Sequence, residues 1–271
     1  MEFAFTLSEV LITLGVIGVV AALTIPGLIQ MYRRHEVEAK LQENYSKLAQ
    51  CMKSILNEYD VDDFTGTELY IPVWDHHWIY TDKLVEQMKK HMKIVQVYDN
   101  KGIGAYKPIK MCMDGKNPPR TYKDNVYYID LCGNPIRTHF NPVGNPPNYT
   151  YTAIELLDGT CMQINANGYA ENWGLSSGGG MEILVDINGS GKGPNVVGID
   201  TFVYIITLDG NVHMYGWEYP NGDCNGCIDR VYTGGVCKTN GVYGCGQSCG
   251  EKIRRNGWRT WTGYPWKPKI K

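Results

Sequence analysis

The chain lacks charge where a soluble helix needs it most. From Val10 to Tyr32 there is no Asp, Glu, Lys or Arg, which excludes an ordinary amphipathic surface helix over that stretch. A nucleic-acid-binding excess of cations is also missing, because Lys and Arg number 26 against 28 Asp and Glu, for a net charge of −2. Phe is scarce (5), whereas Gly (31), Tyr (19) and Trp (7) are plentiful. That balance suggests a loop-rich extracytoplasmic domain with short strands. No Gly-Lys-Ser/Thr follows a glycine-rich stretch, which excludes a phosphate loop. His76, His77 and His91 have no Cys or carboxylate at ligand spacing, so they read as surface or satisfied core histidines. No catalytic triad emerges, and the chain reads as non-enzymatic.

What is present begins at the N-terminus, with FTLSEVLITLGVIGVVAALTIP from Phe5 to Pro26. At ~1.5 Å rise per residue, the uncharged run from Val10 to Tyr32 can cross a hydrocarbon core about 30 Å thick. One carboxylate, Glu9, stands at its start, where a lone acid is costly unless it finds a partner. A secretory signal peptide does not fit: the run is too long for its apolar core, and no convincing cleavage site follows Ala22-Leu23-Thr24. A plain single-span anchor explains the run but not the Phe-Thr-Leu-Ser-Glu start.

This stretch resembles the N-terminal signature of type IV pilins and of the pseudopilins of type II secretion systems. In that family a membrane peptidase cuts just before a Phe, and the mature chain has a Glu four residues on and a proline near the middle of an apolar helix. The resemblance places the cut between Ala4 and Phe5 and puts Glu9 and Pro26 at the matching positions. It covers about 22 residues and is specific, but it says little about the rest. Ala4 stands where the family usually has Gly. The leader, Met1 to Ala4, carries Glu2 and no cation, whereas family leaders are usually basic, so it is expected to be incomplete. Arg33, Arg34, His35 and Lys40 lie beyond the span, and the positive-inside rule alone would put the C-terminal part in the cytoplasm. The resemblance implies the opposite orientation and is preferred.

Further along, Val37, Leu41, Tyr45, Leu48, Met52, Ile55 and Tyr59 recur at spacings of three and four, which predicts that the helix continues. Pro26 should kink or loosen it, and Asp60, Asp62 and Asp63 should end it. A second helix is predicted over Thr81–Val95, capped by Thr81, with Leu84, Val85, Met88 and Met92 as its apolar face. Asn125–Leu131, Tyr151–Leu157, Cys161–Asn165, Glu182–Ile187, Thr201–Thr207 and Val212–Tyr215 read as strands. Asp158-Gly159, Asn188-Gly189 and Asp209-Gly210 between them are turn signals. The expected fold is α+β, pilin-like: one long N-terminal helix, membrane-spanning in its first half, on an antiparallel sheet, with a Cys-rich C-terminal region. The divisions are 1–4 leader, 5–31 transmembrane and fibre-core helix, 32–59 amphipathic helix, 60–223 globular head and 224–271 Cys-rich, basic and aromatic region.

Three constellations could carry chemistry. The glycine-rich loop Asp186 to Asp200 gathers Asp186, Asn188, Ser190, Asn195 and Asp200, hard oxygen donors that suit Ca²⁺. Val197 stands where an EF-hand loop has its twelfth-position Glu. The competing reading is a turn whose Asp and Asn side chains bond their own backbone. Five of the nine cysteines, Cys224, Cys227, Cys237, Cys245 and Cys249, crowd a stretch too poor in apolar residues to hold a core. Disulfides among them are expected rather than a zinc knuckle, with connectivity left open; Cys51 could remain a buried free thiol. A thioredoxin-like Cys224-x-x-Cys227 lacks its strand–helix setting. In the tail, Arg254, Arg255 and Arg259 alternate with Trp258 and Trp261, a pattern open to DNA or glycan binding or to simple closure of the domain.

The resemblance implies a structural subunit of a type IV pilus or type II secretion pseudopilus, cut by prepilin peptidase and methylated on Phe5. Its partners would be the inner membrane, other pilin or pseudopilin subunits and the assembly platform. It would be single-pass in the bacterial inner membrane before assembly, and in a periplasmic or extracellular fibre afterwards. No cofactor is required, Ca²⁺ being the one candidate. The alternatives are a membrane-anchored binding module that never polymerises, and a minor pilin for DNA uptake.

Overall fold

The computed structural model describes residues 6–73, 76–99, 121–122, 125–126, 128–129, 135–136, 151–165, 167–168, 180–189, 192–215, 217, 246, 248–262, 264 and 266. Helix α1 spans Leu7–Tyr59, 53 residues, and runs through Pro26 without interruption. It ends where Asp60 turns left-handed, φ 52°, and its N–H bonds back to Leu56 and Asn57. The strands are β1 (Tyr70–Val73), β2 (His76–Ile79), β3 (Ile94–Asp99), β4 (Thr121–Tyr122), β5 (Asn125–Val126), β6 (Tyr128–Ile129), β7 (Pro135–Ile136), β8 (Tyr151–Leu156), β9 (Cys161–Asn165), β10 (Asn167–Gly168), β11 (Gly180–Asp186), β12 (Thr201–Thr207) and β13 (Val212–Met214). Two short helices complete the order, α2 (Thr81–His91) and α3 (Cys249–Arg255).

Six strands form one sheet in the order β13-β12-β11-β9-β8-β3, and each neighbouring pair is antiparallel. Its hairpins close where Asp158-Gly159 and Asp209-Gly210 stand, and both glycines have positive φ (82° and 72°). Asn188-Gly189 makes no tight hairpin; it opens the longer connection from β11 to β12. Strands β1, β2 and β10 form a separate small sheet, and β4-β5 and β6-β7 are two-stranded pairs. The single strand expected over Asn125–Leu131 is therefore two short strands, β5 and β6. The second helix is shorter than its sequence pattern. It stops at His91, Tyr80 rather than Thr81 is its N-cap, and β3 begins at Ile94, in the strand-favouring Ile-Val run.

The core lies between the C-terminal half of α1 and one face of the sheet. Leu41, Leu48, Met52 and Ile55 meet Ile154, Met162, Ile183, Phe202, Tyr204 and Ile206 in one buried cluster. The strand residues alternate, as the pleat requires. The opposite face is covered too: Val203 and Ile205 are buried, so β12 is out of water along its whole length. Polar clamps fix the helix in register. Tyr204 donates to the Leu41 carbonyl at 3.1 Å, and Tyr45 to that of Val212 at 2.8 Å. Lys40 donates to the Ile187 carbonyl and Lys53 to that of Asp209, both at 3.0 Å, while Lys47 pairs with Asp158. Three connections of the sheet are thus held along one helix.

Replacing Leu48, fully buried on the docked face, by Ala should cost about 3 kcal/mol of head stability. Chemical denaturation of the detergent-solubilised chain, followed by tryptophan fluorescence, measures this.

Candidate functional site

Among the described residues, the N-terminal half of α1 is left exposed along its length. Leu11, Leu14, Ile17, Val20 and Leu23 are all more than half exposed, so apolar surface surrounds the helix. Among the described residues it is the one helix long and apolar enough to cross a membrane. Its two threonine hydroxyls are satisfied within the helix: Thr13 donates to the Glu9 carbonyl and Thr24 to that of Val20, each at 2.9 Å. At its start Thr6 and Glu9 form a capping box. The Thr6 N–H and hydroxyl both donate to Glu9 Oε2, at 2.9 and 2.8 Å, and the Glu9 N–H donates to the Thr6 hydroxyl at 3.3 Å. Glu9 Oε1 accepts no bond among the described residues. The lone acid thus has a local partner before any second subunit is considered. Ala4 and Phe5 lie outside the described residues.

The connection from Asp186 to Asp200 folds around its own two carboxylates. Asp186 Oδ1 accepts from the N–H groups of Asn188 and Gly189 (3.1 and 3.0 Å). Asp200 Oδ1 accepts from the Val196 N–H (2.7 Å), and its Oδ2 from the Asn195 N–H and Asn188 Nδ2 (2.8 and 3.3 Å). So far this is a self-bonded turn. However, Asp186 Oδ2, Asn188 Oδ1 and Asn195 Oδ1 are buried with no partner among the described residues, and Asp186 is 0% and Asn195 2% exposed. Burial, joined by the charge of Asp200, pushes the Asp186 carboxyl up to about 7, despite its N–H donors and Lys40. Burial lifts Asp200 to about 6. Unpaired carboxylate and amide oxygens suit a hard cation. With only two acids present, amide and backbone oxygens would supply the remaining ligands, and no group of three or more His, Cys, Asp or Glu occurs among the described residues.

The loop is wedged into place from outside. At Gly189, φ 83°, a Cβ would strike the Gly159 carbonyl. At Gly198, φ 89°, it would lie 2.8 Å from the Gly246 carbonyl. The Tyr264 hydroxyl donates to the Gly198 carbonyl. These contacts leave the acids little freedom to move apart.

Arg254, Arg255 and Arg259 each meet a buried carboxylate. Glu251, fully buried, accepts from Arg254 (2.7 and 2.8 Å) and from Arg255 (2.6 Å). Glu38, 4% exposed on α1, accepts from the Thr260 N–H and hydroxyl, each at 2.7 Å, from Arg34 at 3.0 Å and from Arg259 at 3.2 Å. Burial pushes the Glu38 carboxyl up, but Thr260, Arg34 and Arg259 outweigh it and hold it below the usual range. Trp258 packs edge-on against Tyr45 at 5.1 Å, and Trp261 against Tyr264 at 4.7 Å. The geometry therefore favours closure of the domain for this segment over an open stacking surface for bases or sugars. Sequence reading missed Glu38, although its place beside Val37 and one turn from Leu41 puts it on the docked face.

One disulfide candidate is corrected. Cys249 is a free thiol, 1% exposed at the start of α3. It is walled in by Gly198 and Tyr264. Burial pushes it up to about 12. Cys51 is likewise free and buried. Cys161 is disulfide-bonded. Cys224, Cys227, Cys237 and Cys245 lie outside the described residues. His91, read from sequence as having no carboxylate at ligand spacing, has its Nε2 3.2 Å from a carboxylate oxygen of Glu58 on α1, which also pairs with Lys90 at 2.9 Å.

Both loop acids hold their protons above the usual value of 3.8 in the folded state. Their contribution to stability is therefore complete below about pH 4 and lost as the pH rises through about 6 and 7. Without divalent cations, the melting temperature of the head should fall between pH 5 and 8, and Asp186→Asn should flatten that slope. No family model, curated protein or solved structure matches the chain.

Proposed function

We propose that the chain is a structural, non-enzymatic subunit of a type IV pilus or type II secretion pseudopilus. The observation that supports this most directly is the division of α1. Its C-terminal half is docked on a sheet, while its N-terminal half is apolar on all sides, bare, and begins with a single carboxylate. Such a helix needs a non-aqueous surrounding, which in this reading is a bilayer first and then the apolar helices of neighbouring subunits. Prepilin peptidase would cut before Phe5. Glu9, held by Thr6 in the free subunit, would then pair with the Phe5 amine of a neighbour, offsetting the burial of both charges and fixing the axial stagger. The heads would form the fibre surface. A non-polymerising membrane-anchored module shares the helix and its Thr6–Glu9 cap, but gives Glu9 no role beyond that cap. The DNA-uptake reading is weaker, since Arg254 and Arg255 already pair with the buried Glu251 and the Trp258 and Trp261 rings already pack against Tyr45 and Tyr264.

In this reading Ca²⁺ is the candidate ion of the β11–β12 loop. Asp186, Asn188, Asn195 and Asp200 would hold it, and it would neutralise the two acids so that the loop stays closed at neutral pH. At pH 7.5, Ca²⁺ should raise the melting temperature of the wild-type head by several degrees, and a chelator should reverse the gain. Asp200→Asn should respond weakly.

N-terminal sequencing of protein from the native host should return a chain beginning at Phe5. Glu9→Ala should leave membrane insertion intact and lower sheared-fibre yield at least tenfold; wild-type yield from that variant would sink the assembly mechanism.

A further inference from the structure

We propose that the base of the head carries a basic collar, Arg33, Arg34 and Arg259, that binds the phosphates of anionic phospholipids; it rests on the reading of α1 as a membrane span, not on fibre assembly.

The position follows from the helix. The uncharged run ends at Tyr32, and Arg33 is the next residue. At ~1.5 Å per residue, Glu38 lies about 9 Å further along. The headgroup layer on each side of a bilayer is roughly 6 Å deep. Residues 33 to 38 therefore cross that layer when the apolar run fills the hydrocarbon. Glu38 brings the C-terminal segment to the same level. It binds both polar groups of Thr260, and Arg34 donates to the Thr260 carbonyl at 2.5 Å. Arg259 is thereby placed beside Arg34, although more than two hundred residues separate them in sequence.

The charge balance then picks the ligand. Arg34 and Arg259 share one acid, Glu38. Glu36, the other acid at this level, is met by Lys40 at 3.4 Å. Arg33 is exposed and forms no ion pair among the described residues. Three guanidinium groups thus answer to one buried carboxylate, which leaves a surplus of positive charge facing outward. The Arg259 side chain is 63% exposed and that of Arg34 40%, and Arg259 gives only one N–H to Glu38. The free edges of these forks suit the paired oxygens of a phosphodiester. Long stems let the heads reach headgroups while their carbons lie along the span. An acidic patch on a neighbouring protein would meet the same charges, but the level of the collar is that of the lipid phosphates.

The test uses the full chain in phosphatidylcholine vesicles containing phosphatidylglycerol. Spin-labelled lipids of each type report selectivity at the protein boundary. The wild type should prefer phosphatidylglycerol by roughly fivefold or more. The double variant Arg33→Gln with Arg259→Gln should approach equal preference, and the matching Arg→Lys double variant should keep most of it. An unchanged melting temperature in the Gln variant shows that the head is intact; if it is not, Arg33→Gln alone, which breaks no internal pair, must still lower the preference. Equal selectivity in the wild type and the Gln variants overturns the proposal. So does a Gln variant that keeps its lipid preference while losing fibre yield, which would assign the collar to a neighbouring subunit. Alkaline extraction of the vesicles checks the span separately, because a chain that washes off fails the membrane reading itself.

Discussion

The docking of the second half of α1 onto the six-stranded sheet is the contact on which the rest depends. Leu41, Leu48, Met52 and Ile55 supply the apolar surface, and alternate residues of β8, β9, β11 and β12 receive it. A helix this long would otherwise need intrinsic propensity alone to stay formed, and Pro26 and three glycines in its first half work against that. With the C-terminal half clamped, the N-terminal half extends from a fixed base. The loop acids, the α3 carboxylate and the Glu38 cluster are likewise positioned by elements that lean on this helix.

Buried charge recurs in the head, and it is handled in two ways. Glu38 and Glu251 are each met by two arginines; Glu38 also takes the Thr260 N–H and hydroxyl and so clasps α1 to the C-terminal segment, while Glu251 ties together one face of α3. Asp186 and Asp200 lie close together with too few donors, so burial holds their protons on. The first arrangement is complete in itself. The second is complete only with a proton or a cation, which is why the loop and not the C-terminal segment is the place to look for an ion.

Much of this was legible in the sequence because it repeats. The apolar run, the stripe from Val37 to Tyr59 and the alternation in β8, β9, β11 and β12 are periodic signals carried by many residues. The two Asp-Gly turns are strong local signals. Single-residue facts were harder. Nothing in the chain announces that Glu38 will meet Thr260 and Arg259, because that depends on where the chain returns after two hundred residues, whereas Glu251 stands only three and four residues before Arg254 and Arg255 on α3, a local helix spacing. The tail therefore stayed open to a ligand-binding reading beside closure of the domain while its cations were counted without their partners. Cys249 misled for a similar reason. It belongs by spacing to the cysteine cluster but by packing to the core. The end of α2 was overrun because Met92 continues the helical stripe even though the backbone has already left it.

The lysines of α1 have a mechanical meaning. Lys40, Lys47 and Lys53 fasten three separate connections of the sheet over about 20 Å of helix. Each bond is weak alone, as exposed polar pairs are. A pull along the helix axis loads all three together with the apolar seam between them, in shear. A sideways pull would open them one at a time, like a zip. The head is thus attached so that it resists tension along the direction in which α1 leaves it.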